Sequence, residues 1–238
     1  MNYILPILLL LITLTTGCSS IYNYRPNLSN SYKTLDNRVV ALNSLPCCVS
    51  PENMISEPLS TETFHLTMEE NKSATEFNNF KSHYRLFDLS QLPDMSYFQL
   101  ITYTQESENS PFLLFVPKVY FLDSEFKTLR ESSYKHLYFE RWSIRNNNNF
   151  KHKIKIDKQT MPNQRYMLIV SSPIPYGEYI NFSRSYNSSY TNVIGGQVYT
   201  VNEPRTQSIR FKSAPSGVIT IENLNSWSKP LNDAAYRF

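Results

Sequence analysis

Cys47 and Cys48 stand side by side, and thiols are the most reactive groups in this chain. In an oxidising compartment such a pair is expected to close into a vicinal disulfide. Neighbouring Cα atoms lie about 3.8 Å apart across a trans peptide, whereas disulfides favour about 5.5 Å, so the ring is strained. It would serve as a lock on the turn after Pro46 or, being more reducible, as a redox switch. The lock is the expected role. Four histidines, His65, His83, His136 and His152, occur singly, without neighbours at metal-ligand spacing, so no metal site is expected. His152 lies between lysines in FKHKIKI and is expected on a solvated strand face. Asp123 and Glu125 sit two apart in a turn. A glycosidase pair would need carboxylates about 5–9.5 Å apart across a cleft, so Asp123 is read instead as a turn cap. There is no GxSxG, HExxH or Walker loop, and 5 glycines leave little for a phosphate cradle. Neither catalysis nor a cofactor is expected. The remaining resource is aromatic: Tyr176, Tyr179, Phe182, Tyr186 and Tyr190 crowd a polar, loop-like stretch with Asn and Ser. Polar plus aromatic suits a sugar or protein surface, the alternative being rings packed between sheets.

The third cysteine has different chemistry. Residues 4–12, ILPILLLLI, are apolar and uncharged but shorter than the ~20 residues that span a bilayer. Small residues Thr15, Thr16 and Gly17 then precede Cys18. This reads as a signal peptide over residues 1–17, with a cleavage site resembling the bacterial lipobox, in which the cysteine is acylated. Acyl chains contribute ~0.8 kcal/mol per buried methylene, so several of them on Cys18 would hold the protein permanently on a membrane. Ser19 follows, with no Asp to retain the protein at the inner membrane, so the expected address is the periplasmic face of a Gram-negative outer membrane. Residues 18–33 are polar and read as a flexible tether.

The elements that must position these groups are mostly strands. The 238 residues are 41% hydrophobic, with 17 Tyr, 14 Phe and 14 Pro, a composition that favours pleated sheet. A net charge of +3 is too weak to argue for nucleic acid. Leu35, Val39 and Leu42 form a short amphipathic helix, with Thr34 able to cap it and Pro46 stopping it. Beyond Pro46, strands are expected at Thr63–Thr67, His83–Asp88, Tyr97–Thr104, Leu113–Leu122, Leu137–Ser143, Lys151–Ile156, Tyr166–Ser171, Gln207–Lys212 and Val218–Glu222. Met68–Phe80 is either polar helix or loop. The fold class is all-β and sandwich-like, with two small units, 34–132 and 133–238, and one continuous two-sheet body as the alternative.

Several segments, in order, resemble the MalM-type maltose operon periplasmic protein family. They are ALNSLPCC (41–48), Pro58–Ser60, FKSHYRLFDL (80–89), FVPKVYFLDSEFKTLRE (115–131), YMLIV (166–170) after Arg165, and APSGVITIE (214–222). The resemblance spans roughly residues 40–222 and implies a non-enzymatic periplasmic lipoprotein accessory to maltose or maltodextrin transport. Its partners would be a maltodextrin or a transport or porin component. The competing expectation is an outer-membrane scaffold or assembly lipoprotein that binds a protein and has no sugar site.

Overall fold

The computed structural model describes residues 34–225 apart from positions 61, 70, 71, 78, 108, 109, 133–137, 141–148, 195 and 196. The signal segment, Cys18, the tether and His136 lie outside the described residues. Helix α1 is Leu35–Ser44, and the Thr34 hydroxyl accepts from the Asn37 amide at 3.3 Å, as an N-cap should. Among the described residues the strands that follow are β1 (Ser56–Pro58), β2 (Phe64–Thr67), β3 (Thr75–Phe77), β4 (Phe80–Ser82), β5 (Tyr84–Asp88), β6 (Met95–Ser107), β7 (Ser110–Phe115), β8 (Pro117–Leu122), β9 (Thr128–Ser132), β10 (Tyr138–Glu140), β11 (Asn149–Asp157), β12 (Tyr166–Ser171), β13 (Tyr179–Ile194), β14 (Gln197–Ala214) and β15 (Val218–Asn223). The fold is all-β and sandwich-like.

One sheet has five strands in the order β1-β5-β12-β8-β9. A second sheet runs β10-β11-β6-β7-β14-β13, with β15 between β6 and β2, and β3 pairs with β4 in a separate two-stranded sheet. Strand β6 bridges two regions of this second sheet. It pairs β11 along Met95–Tyr103, β15 at Phe98–Thr102, and β7 from Thr104 onward across a register shift.

The main core lies between the sheets. Phe87, Val119, Phe121, Met167 and Ile169 meet Phe98, Leu100, Ile154, Ile156, Ile219 and Ile221. The outer face of the five-stranded sheet is covered too, where Leu86, Tyr120, Leu122, Leu168 and Val170 pack with Met54 against Val49 and Phe77. Burial on both faces explains why YMLIV is continuously apolar instead of alternating. It also places Val49, next to the cysteine pair, inside the body's packing.

Four differences from the sequence expectations have physical causes. Leu113–Leu122 is two strands in two sheets, because the chain crosses from β7 to β8 at Val116–Pro117. Proline lacks the amide a ladder needs and restricts the residue before it, which suits a sheet-switching corner. Gly217 makes room there, since a Cβ at that position would lie 2.6 Å from the Phe115 Cβ. The division at residue 132 does not separate sheets, because β12 sits between β5 and β8, and β6 sits beside β11 and β15. Met68–Phe80 contains β3 and the start of β4, and no helix among its described residues.

The fourth difference concerns polar residues. His152 is buried, 4% exposed, with its Nε2 2.5 Å from the Ser132 hydroxyl. It shares the inward parity of Ile154 and Ile156 on β11, and that alternation outweighs the flanking lysines. On α1 the most buried side chains are Arg38 and Leu42, one turn apart, while Val40 is exposed. The Arg38 guanidinium donates to the Gln105 side-chain carbonyl and, at 3.1 Å, to the Ser216 carbonyl. Burial lowers its pKa from the ordinary guanidinium value, and nearby Glu69 opposes that shift. Glu69 in turn accepts from the Ser216 hydroxyl at 2.5 Å. The helix is thereby stitched onto the loop before β15.

Candidate interaction surface and the cysteine pair

The stretch holding the five aromatic residues continues as strand, whereas its sequence reads as loop. Tyr179–Ile194 pairs antiparallel with Gln197–Ala214 from Tyr179↔Lys212 to Ile194↔Gln197. The adjacent strand β7 reaches only Lys212, Ser213 and Ala214. Among the described residues, every rung beyond that point belongs to a two-stranded arm. At ~3.3 Å per residue, positions 183–194 extend roughly 40 Å from the sheet. Tyr, Thr and Ser sustain extended backbone without aliphatic partners, so hydrophobic periodicity gave no sign of this strand.

The base of the arm is anchored by rings. Phe150, Phe211, Leu114, Val116 and Ile180 form a cluster against which Phe182 and Ile209 pack. Phe182 lies 4.3 Å from Phe150 between ring centroids. Phe182 is therefore a packing residue rather than a ligand platform. Tyr176 is also committed to the body, since its hydroxyl donates to the Lys81 carbonyl at 2.8 Å and its ring meets Phe80. Burial raises its phenol pKa well above the ordinary value. Tyr179 is 40% exposed, but the Arg210 guanidinium lies 3.6 Å from its ring centroid. One face of that ring is thus occupied by a cation. Positions 186 and 190 pair with Arg205 and Val201 and share the strand parity of Phe182. The side chains of Tyr186 and Tyr190 lie outside the described residues. Of the five aromatics, Tyr176 and Phe182 serve packing, Tyr179 has one face covered by a cation, and positions 186 and 190 lie farther out along the arm's backbone.

What the arm exposes instead is polar and cationic. Tyr179, Asn181, Ser183, Ser189, Asn202, Thr206, Ser208 and Arg210 are all exposed. The Ser183 and Ser208 hydroxyls are 3.2 Å apart across the ladder. From 180 to 211, Arg184, Arg205 and Arg210 stand against Glu203 alone, a formal +2 within a chain whose whole excess is +3. Pro204 in β14, opposite Asn187, has no backbone N–H to donate.

Cys47 and Cys48 are joined by a disulfide across a cis peptide bond, and both are exposed. The segment is clasped onto β3. The Val49 amide donates to the Ala74 carbonyl at 3.0 Å, the Ala74 amide to the Pro46 carbonyl at 2.9 Å, and the Thr75 hydroxyl to the Val49 carbonyl at 2.8 Å. The Glu76 carboxylate lies 3.6 Å from the Cys48 sulfur.

The remaining titratable groups have structural roles. Asp123 Oδ1 accepts from the Glu125 and Lys127 amides, each at 2.9 Å, which is the turn-capping role its position implies. His65 bonds the Thr220 hydroxyl at 2.9 Å. His83 is buried, and desolvation pushes its pKa down to about 4, with Glu69 and Arg85 as lesser, opposing influences.

No family model matches the chain, and no curated protein matches it. Among solved structures it is similar to a candidate secreted protein from Eubacterium rectale. That pair shares 11% identity over 83% of this chain and 79% of the other, with a TM-score of 0.21. Such a score supports no inference about fold or activity. The resemblance to the MalM family rests on the sequence segments that carry it. No described helix is long and apolar enough to cross a membrane.

Proposed function

We propose that this chain is a non-enzymatic lipoprotein of the bacterial envelope whose projecting β-arm holds a protein partner with an acidic surface. The observation that supports this most is the unsupported ladder beyond Lys212. A two-stranded hairpin alone in water is marginal, so a long one is best accounted for by a partner that completes it. The arm's +2 charge favours an acidic partner face, which would speed encounter and fix orientation. Resemblance to the MalM family suggests that the partner belongs to carbohydrate uptake. Direct sugar binding is the weaker reading, because Tyr176 and Phe182 are committed to the body and one face of Tyr179 is covered. Titration calorimetry of the full chain in detergent with a maltodextrin series distinguishes the two. No heat is expected at millimolar sugar, about −4 kcal/mol of binding. Heat that Tyr179→Ala abolishes would transfer the site to sugar.

A further inference from the structure

We propose that Cys47, Cys48 and Glu76 form a zinc site that is shut while the cysteines are bridged and opens when they are reduced. One ligand atom from each lies within 4.8 Å of the others, and all three residues are exposed. The ligands come from segments 28 residues apart, held together by the backbone clasp between Pro46–Val49 and Ala74–Thr75. The site is thus assembled by the fold and not by sequence adjacency alone.

The dimensions fit the ion. With zinc–thiolate bonds of about 2.3 Å and a zinc–carboxylate bond of about 2.0 Å, a tetrahedral sulfur–oxygen edge is roughly 3.5 Å. Cys48 Sγ lies 3.6 Å from Glu76 Oε2. The sulfur–sulfur edge of the same tetrahedron is roughly 3.8 Å, whereas bridged sulfurs sit about 2.05 Å apart. Metal binding and the disulfide are therefore mutually exclusive. A dithiol donor would open the site. The protein disulfide takes two electrons and two protons, and the donor leaves as its own disulfide. Zinc then replaces both thiol protons, which pass to solvent, while Glu76 binds as the carboxylate and water takes the fourth position. Lys81, across the ladder from Glu76, directs its ammonium at the carbonyls of Asn43 and Leu45 at the end of α1.

The test uses the untagged full chain in detergent, with Cys18→Ser so that the counted thiols are Cys47 and Cys48. The chain is reduced with a phosphine and titrated with zinc against a chromophoric chelator. One zinc per reduced chain is expected, with none on the oxidised chain and at least tenfold weaker binding for Glu76→Gln. Glu76 is exposed, so that variant keeps its fold, which a thermal melt verifies, and the result does not depend on substituting Cys47 or Cys48. No zinc on the reduced chain, equal uptake by the oxidised chain, or unchanged affinity in Glu76→Gln would each overturn the proposal.

Discussion

His83 carries its consequence in its pKa. Its folded value is about 4, against about 6.5 for an unfolded histidine, because burial disfavours the charged ring. Between those values the unfolded chain binds the extra proton. Stability therefore falls as pH drops from about 6.5 to about 4, by up to ~3 kcal/mol from this group, and the loss is complete below the folded pKa. Urea unfolding across that window should show a flatter pH dependence in His83→Gln than in the parent. Equal slopes would contradict the burial assignment. Residues whose role depends on their own loop were legible in the sequence. Asp123 follows a strand and precedes small turn residues, and it caps. His152 and Arg38 were not, for a physical reason: each is buried by a distant partner, Ser132 and the Gln105–Ser216 pair, which local pattern does not reveal.

Among elements, strands with apolar alternation or runs were visible before the structure, and Tyr166–Ser171 coincides with β12. The arm's first strand was missed because its sequence, polar residues with scattered tyrosines, leaves no aliphatic period. Packed and exposed rings at its base respond differently to substitution. Phe182→Ala opens the cluster with Phe150 and Phe211 and should cost about 2 kcal/mol or more in chemical denaturation. Tyr179→Ala removes an exposed ring stacked on Arg210 and should cost within about 1 kcal/mol. Reversal of that order would mean the arm is seated in some other way on the body.

For the whole molecule, the chain's two halves are interleaved through β5–β12–β8 and β11–β6–β15, and length alone could not separate this from two small units. The proposed membrane attachment is through Cys18. Cys18→Ala should leave the protein in the soluble fraction after cell lysis, and persistence in the washed membrane pellet would contradict lipid anchoring there. The proposed role of the arm is contact with a protein. It is tested most directly by photo-crosslinking in intact cells from Thr200 or Thr206 on the arm, with Val40 on α1 as an exposed control on the body. The account predicts one adduct of defined mass from both arm positions and none from Val40, with the adduct lost in Arg205→Glu/Arg210→Glu. Absence of any arm adduct in cells that express the protein, or an adduct indifferent to the charge reversal, would contradict it.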